Sequence, residues 1–187
     1  VYIDLYERPE SKRGGAWMSP IRGQDRKNGE RVPPLVILTA NFKKSMNGET
    51  LLSLGEVETV FHEFGHTLHA LLSDVEYRAH ASPGIAWDAV ELPSQFMENY
   101  VYEMEGLKLF AHHYKTGELL PEELYDKMVM ARNFRSATHF LSYFSQVAVD
   151  MAIHTEAGKN IEDIKGFEAT ILADMTLGAK IDREPMI

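Results

Sequence analysis

Glu56-Val57-Glu58-Thr59-Val60-Phe61-His62-Glu63-Phe64-Gly65-His66-Thr67-Leu68-His69 is the stretch on which the reading of this chain turns. It contains His-Glu-x-x-His. On a helix, two imidazoles at i and i+4 share one face about one turn apart, near enough to hold one metal ion. Zinc suits them, because imidazole is a borderline-soft donor and zinc accepts tetrahedral nitrogen and oxygen ligands. Glu63 follows His62 by about 100° around the axis. It flanks the metal and can take a proton from water without being a ligand. Upstream, Ser53-Leu54-Gly55-Glu56 has the form of a capping box, and Val57, Val60, Phe61, Phe64, Leu68, Leu71 and Leu72 follow at helical spacing. Only Gly65 opposes the helix, at a cost of about 1 kcal/mol relative to alanine. A glycine held there implies that something approaches the backbone closely.

Two imidazoles leave a zinc site short of a ligand. His69 lies on the same face, but its Cα is about 10.5 Å along the axis from that of His62, too far for three unstrained bonds of about 2.1 Å to one ion. It reads as packing or outer support. The longer pattern His-Glu-x-x-His-x-x-Gly-x-x-His fails, since positions 69 and 72 hold His69 and Leu72. A carboxylate from a following helix remains. Glu91 and Glu98, seven apart, share a helical face; the one nearer the metal ligates and the other supports it. A helix-start acid at Glu91 is the competing reading, because Asp88-x-x-Glu91 also has capping-box form. Against it, a helix begun at Asp88 would carry Pro93 in its fifth position and lose a backbone hydrogen bond.

The rest of the chain bounds the function. Its 187 residues suffice for a domain with a real core, and 44% hydrophobic with 25% charged residues is ordinary for a globular protein. A formal charge of −9 with no lysine/arginine block argues against nucleic acid. The absence of cysteine excludes disulfides and thiolate zinc sites and favours the cytoplasm. No apolar run long enough for a bilayer, and no signal peptide, is present. The chain opens on Val1 directly into a patterned segment and is expected to be a piece of something longer.

Helix is expected to dominate, giving a mainly α chain with a small β element near the N-terminus. Residues 1–31 read as short strands or coil. Leu35–Phe42 is the clearest strand, either buried within a sheet or at an edge near the metal where a peptide can add. After the metal helix come a loop from Ser73 to Trp87 and a second helix from Asp88 or Val90 to Glu105. A third runs from about Leu107 to Tyr114. Pro121-Glu122-Glu123 opens a helical pattern reaching Thr155, as one bent helix or two in series. Its Phe134, Phe140 and Phe144 are expected in the core. A last helix spans Asn160 or Ile161 to about Met175.

Gly15-Ala16-Trp17-Met18, Phe61-His62-Glu63-Phe64-Gly65-His66-Thr67-Leu68-His69 and Val90-Glu91-Leu92-Pro93-Ser94-Gln95-Phe96-Met97-Glu98-Asn99 occur in this order. Together they resemble the thimet-oligopeptidase family of zinc metallopeptidases along nearly the whole chain. The resemblance implies His62, His66 and Glu91 as ligands of one zinc ion, Glu63 as catalytic base, and short peptides as substrates. It also implies a zincin-like core within a larger, mostly helical peptidase. Residues 1–187 would form a single catalytic-region fragment, β or coil over 1–50 and helical over 51–187. A glycine-containing loop at Tyr77–Trp87 and an edge strand at Val36–Phe42 would hold substrate backbone.

Family members are several times longer. Their Gly-Tyr-rich segment, whose tyrosine and histidine steady the transition state, would lie just past Ile187. Losing one such donor typically costs about 2.7–4 kcal/mol. The rival expectation is therefore a metal-binding, non-catalytic fragment or pseudo-enzyme that works only with the missing segments of its own chain. Plain core histidines, with no metal at all, are the third.

Overall fold

A computed structural model of the protein describes residues 1–46, 48–155, 159–173 and 175. The chain divides into two compact units, Val1–Tyr125 and Asp126–Ile187.

The first unit is built on strand β5 (Leu35–Phe42). Val36, Leu38, Ala40 and Phe42, alternate residues on one face, are almost inaccessible to solvent, while on the other face Thr39 is buried and Leu35, Ile37 and Asn41 are half-buried. A strand so covered belongs in the middle of a sheet. β1 (Tyr2–Tyr6) pairs with it in parallel, Ile3 opposite Leu38. β2 (Trp17–Arg22) pairs antiparallel on the other side, Met18 opposite Leu38. The order is β1-β5-β2. This corrects the edge-strand expectation for Val36–Phe42: β5 has a neighbour on each side, and the sheet's edges are β1 and β2. Lys12, between those two strands, turns its Nζ inward to the carbonyls of Asp4 (3.0 Å), Tyr6 (2.9 Å) and Ala40 and ties the β1 side of the sheet together.

α1 (Leu54–Leu72) lies against β5 and β2. Ser53 caps it as the sequence implies. Its hydroxyl accepts from the Glu56 N–H, and the Glu56 carboxylate accepts from the Ser53 N–H at 2.8 Å. At the other end the hairpin of β3 (Asp25–Lys27) and β4 (Glu30–Val32) serves the carbonyls that a helix leaves unpaired. Arg31 donates to the Leu71 and Ser73 carbonyls at 2.8 and 3.0 Å. The buried Gln24 amide meets both the N–H and the C=O of Val75 at 3.2 Å. The hairpin turns on Asn28 and Gly29, both at positive φ, as an Asn-Gly turn requires.

The second helix is shorter than expected and starts later. α2 spans Leu92–Glu98, continues as a 3-10 turn over Asn99–Tyr102, and α3 occupies Met104–Phe110. Starting at Leu92 puts Pro93 in the first turn, where its missing N–H costs nothing. Residues 111–120 form a turn, with Gly117 at φ 74°, closed by a bridge between His112 and Leu119.

α4 (Glu122–Asn133) opens after Pro121 and leads into the second unit. α5 (Ser136–Ile153) follows, separated from it by Arg135 in left-handed conformation, so the long pattern is two helices in series. α6 covers Ile164–Leu172, capped by Asp163. Phe134, Phe140 and Phe144 are exposed to more than half their surface, not in the core as expected. Helical periodicity identifies an apolar face but not what covers it. With six helices and five strands among the described residues, the fold is mixed, helix being the larger share and sheet confined to the first 42 residues. Among those residues no helix is long and apolar enough to cross a membrane.

Candidate metal centre

α1 carries His62 and His66 one turn apart, their rings edge to face with centroids 5.1 Å from each other. The entry to α2 comes to meet them because Gly65 lets it. A Cβ built on Gly65 would lie 2.6 Å from the Ser94 Cα and 2.8 Å from the Pro93 carbonyl carbon. This is the close approach that a glycine inside the helix implied. It sets Glu91, one step before α2, over the two imidazoles.

The Glu91 Oε2 lies 3.3 Å from His62 Nε2 and 3.1 Å from His66 Nε2. Among the described residues these three form the one group whose donor atoms, all within 4.8 Å of one another, could hold a metal ion. The fit to zinc can be tested on the separations. Four donors at about 2.0–2.1 Å in a tetrahedron stand about 3.3 Å apart, which both nitrogen–oxygen distances match closely. The proton count agrees. His62 Nδ1 is 2.6 Å from the Glu98 Oε1; a ring that donates from Nδ1 to this carboxylate leaves its Nε2 lone pair to face Glu91. Two acceptors 3.3 Å apart repel, and a cation between them removes the conflict.

Of the two acids, Glu91 faces both Nε2 atoms, and Glu98 meets His62 at its other nitrogen. The competing helix-start role for Glu91 is not realised: residue 88 begins no helix, and the Glu91 side chain makes no capping bond. It bonds instead to the Ser94 hydroxyl at 2.6 Å. That bond, with the two imidazoles adding to it against partial burial, holds the Glu91 carboxyl below its ordinary range and keeps it anionic. Burial pushes His66 the other way, toward the neutral ring a metal needs.

Glu63, about 100° around the helix from His62, is buried. Burial raises its pKa above the usual carboxylate value and the nearby Glu91 charge adds to this; His62 and the Met18 backbone N–H act in the opposite sense. Met18 belongs to β2, so a sheet edge reaches the buried carboxylate, though the edge strand is β2 and not the strand the sequence pointed to. His69 stays outside the donor group. It faces an apolar pocket with Leu68, Leu72, Val75, Pro93 and Met97, and its buried Nδ1 has no hydrogen-bond partner among the described residues. Ser94 and the Met18 N–H are the parts of this constellation that the sequence did not single out. The i to i+3 spacing of Glu91 and Ser94 was the available signal for the first; a backbone donor leaves none.

His-Glu-x-x-His on α1 thus faces a carboxylate at the entry to α2. The chain belongs to peptidase family M3, which it matches over residues 1–178. It is 48% identical over 158 residues to oligopeptidase A of Escherichia coli, covering 83% of this chain and 23% of that protein. It is 44% identical over 161 residues to an Arabidopsis thaliana protein named organellar oligopeptidase A, covering 83% and 20%. Dipeptidyl carboxypeptidase of Escherichia coli is 34% identical over 182 residues, covering 95% and 26%. The chain thus spans about a quarter or less of the length of the curated relatives it matches.

Proposed function

We propose that this chain is the metal-holding segment of a zinc-dependent oligopeptidase that hydrolyses short peptides, with residues 1–187 forming part of one zincin-like catalytic region. His62, His66 and Glu91 would hold one zinc ion, and Glu63 would act as general base. The observation that carries the reading is the placement of the Glu91 Oε2 at 3.3 and 3.1 Å from the two imidazole nitrogens. When bound, zinc supplies Lewis-acid polarisation of a peptide carbonyl and lowers the pKa of water toward about 7. The protein's own groups do the rest. Glu98 holds His62 in the tautomer that offers Nε2, and burial keeps His66 neutral. The Glu63 carboxylate accepts the proton of the attacking water and returns it to the departing amine nitrogen. Its raised pKa brings it nearer the working pH, where a base both ionises and passes its proton on. Relatives named as peptidases support the substrate class. The cysteine-free composition favours the cytoplasm, a location that fractionation with tagged protein tests.

Metal analysis paired with cleavage of a quenched short peptide tests this. The parent is expected to carry close to one zinc per chain, and Glu63→Gln to keep the zinc and lose hydrolysis. Equal cleavage by Glu63→Gln and parent would refute the base assignment. Because the chain is so much shorter than its relatives, a second reading stands beside the first: a zinc-binding segment that turns over only together with the rest of its protein. Zinc without cleavage in the 187-residue parent, and cleavage restored in the longer gene product, would select it.

A further inference from the structure

The three donors are not held alike. His62 is tethered through its other nitrogen by Glu98, and the His66 side chain is packed to 16% exposure. The Glu91 side chain is 49% exposed and has three rotatable bonds, so packing alone does not fix its carboxylate. One contact does. The Ser94 hydroxyl sits 2.6 Å from the Glu91 Oε2, the same oxygen that faces both imidazoles. Ser94 is itself wholly buried, so water does not compete for its proton, and its Cα is seated against Gly65 of α1.

We propose that Ser94 is a positioning residue that locks the Glu91 carboxylate over His62 and His66 and so preorganises the metal centre. This rests on the zinc reading given above and deepens it. A serine inside a helix commonly satisfies itself on the carbonyl three or four residues back, and the Glu91 carbonyl does lie 2.9 Å from the hydroxyl. That carbonyl already accepts the Gln95 N–H at 2.9 Å, however. The hydroxyl has one proton, and the shorter contact to a charged oxygen takes it. A line of fixed contacts thus runs from Gly65 through Ser94 to Glu91, tying the third ligand to the helix that carries the other two.

The test is zinc affinity by competition with a chromophoric chelator, on the 187-residue chain, for the parent, Ser94→Ala, Glu91→Ala and the double variant. Loss of such an outer contact typically weakens metal binding about 10–100-fold, which is expected for Ser94→Ala. In the Glu91→Ala background the same change should have no effect beyond about twofold. The visible spectrum of the cobalt(II) form should shift in Ser94→Ala. Equal losses in both backgrounds, an unshifted cobalt(II) spectrum in Ser94→Ala, or no loss at all would overturn the proposal. A parent that binds no zinc, or binds it equally well as Glu91→Ala, refutes the ligand assignment itself and this inference with it.

Discussion

Replacing Gly65 by alanine separates local helix preference from the packing that builds the site. Inside an isolated helix this change is stabilising by about 1 kcal/mol. Here the new Cβ would fall 2.6 Å from the Ser94 Cα and 2.8 Å from the Pro93 carbonyl carbon, where ordinary contact begins at 3.4 Å. These atoms and the still nearer Pro93 carbonyl oxygen are all backbone, so no side chain can rotate away. The start of α2 must retreat by about 1 Å, at a cost of about 1–3 kcal/mol for overpacking. Set against the propensity gain, the metal-free protein should lose up to about 2 kcal/mol. The larger effect is on the centre. Glu91 precedes α2 directly, so the same retreat takes its Oε2 from 3.1 and 3.3 Å toward about 4 Å from the imidazoles. That exceeds the roughly 3.3 Å edge of a zinc tetrahedron, and zinc affinity should fall at least about tenfold. Chelator competition reads the affinity and thermal melts of the metal-free proteins read the fold. A Gly65→Ala protein that melts above the parent and binds zinc as tightly would refute the reasoning, because the helices would then not be in the contact that places Glu91.

Glu98→Ala should weaken zinc by about 10–100-fold, since it frees the His62 ring and its tautomer; Glu98→Gln keeps an acceptor and should recover part of the loss in the same competition assay. Ser53→Ala should cost about 1 kcal/mol in urea melts at neutral pH, through the cap of the metal helix. The cap also has a pH dependence. Bonds from the Ser53 N–H and hydroxyl hold the Glu56 carboxyl below 4.5 in the folded protein. A depressed carboxylate contributes stability that is present above its unfolded value and lost as pH falls through the folded one. Parent and Glu56→Gln should therefore converge in stability below pH 4.5, and a gap that widened on acidification would contradict the cap.

Much of the centre was legible because its chemistry is local. His62, Glu63 and His66 lie within one turn of helix, and Ser53 and Glu56 announce where that helix begins. Gly65 was legible for the opposite reason: it breaks a local rule, and the reason turned out to be the nearest backbone of α2. Glu91 was harder. Its side chain gains meaning only from the fold of the intervening loop, and Pro93 was the one local hint that the helix starts after it. Starting at Leu92 releases Glu91 from capping and leaves its carboxylate free for the imidazoles.

What the sequence did not disclose is neighbourhood. The run Leu35–Phe42 declares a strand, but whether it lies at an edge depends on partners from far along the chain, and β1 and β2 took both sides. The nearly continuous apolar run Leu35-Val36-Ile37-Leu38 was the better guide, since an open edge tolerates polar or charged side chains more readily than a central strand does. The same logic explains the aromatic stripe of α5. Phe140 and Phe144 repeat at helical spacing, their ring centroids 6.5 Å apart, yet both stand exposed. Spacing predicts which residues share a face; only tertiary structure says whether that face is met. The approach of Glu91 to His62 and His66 is instead marked twice in the sequence, once by the acid that reaches across and once by the glycine that lets it come near.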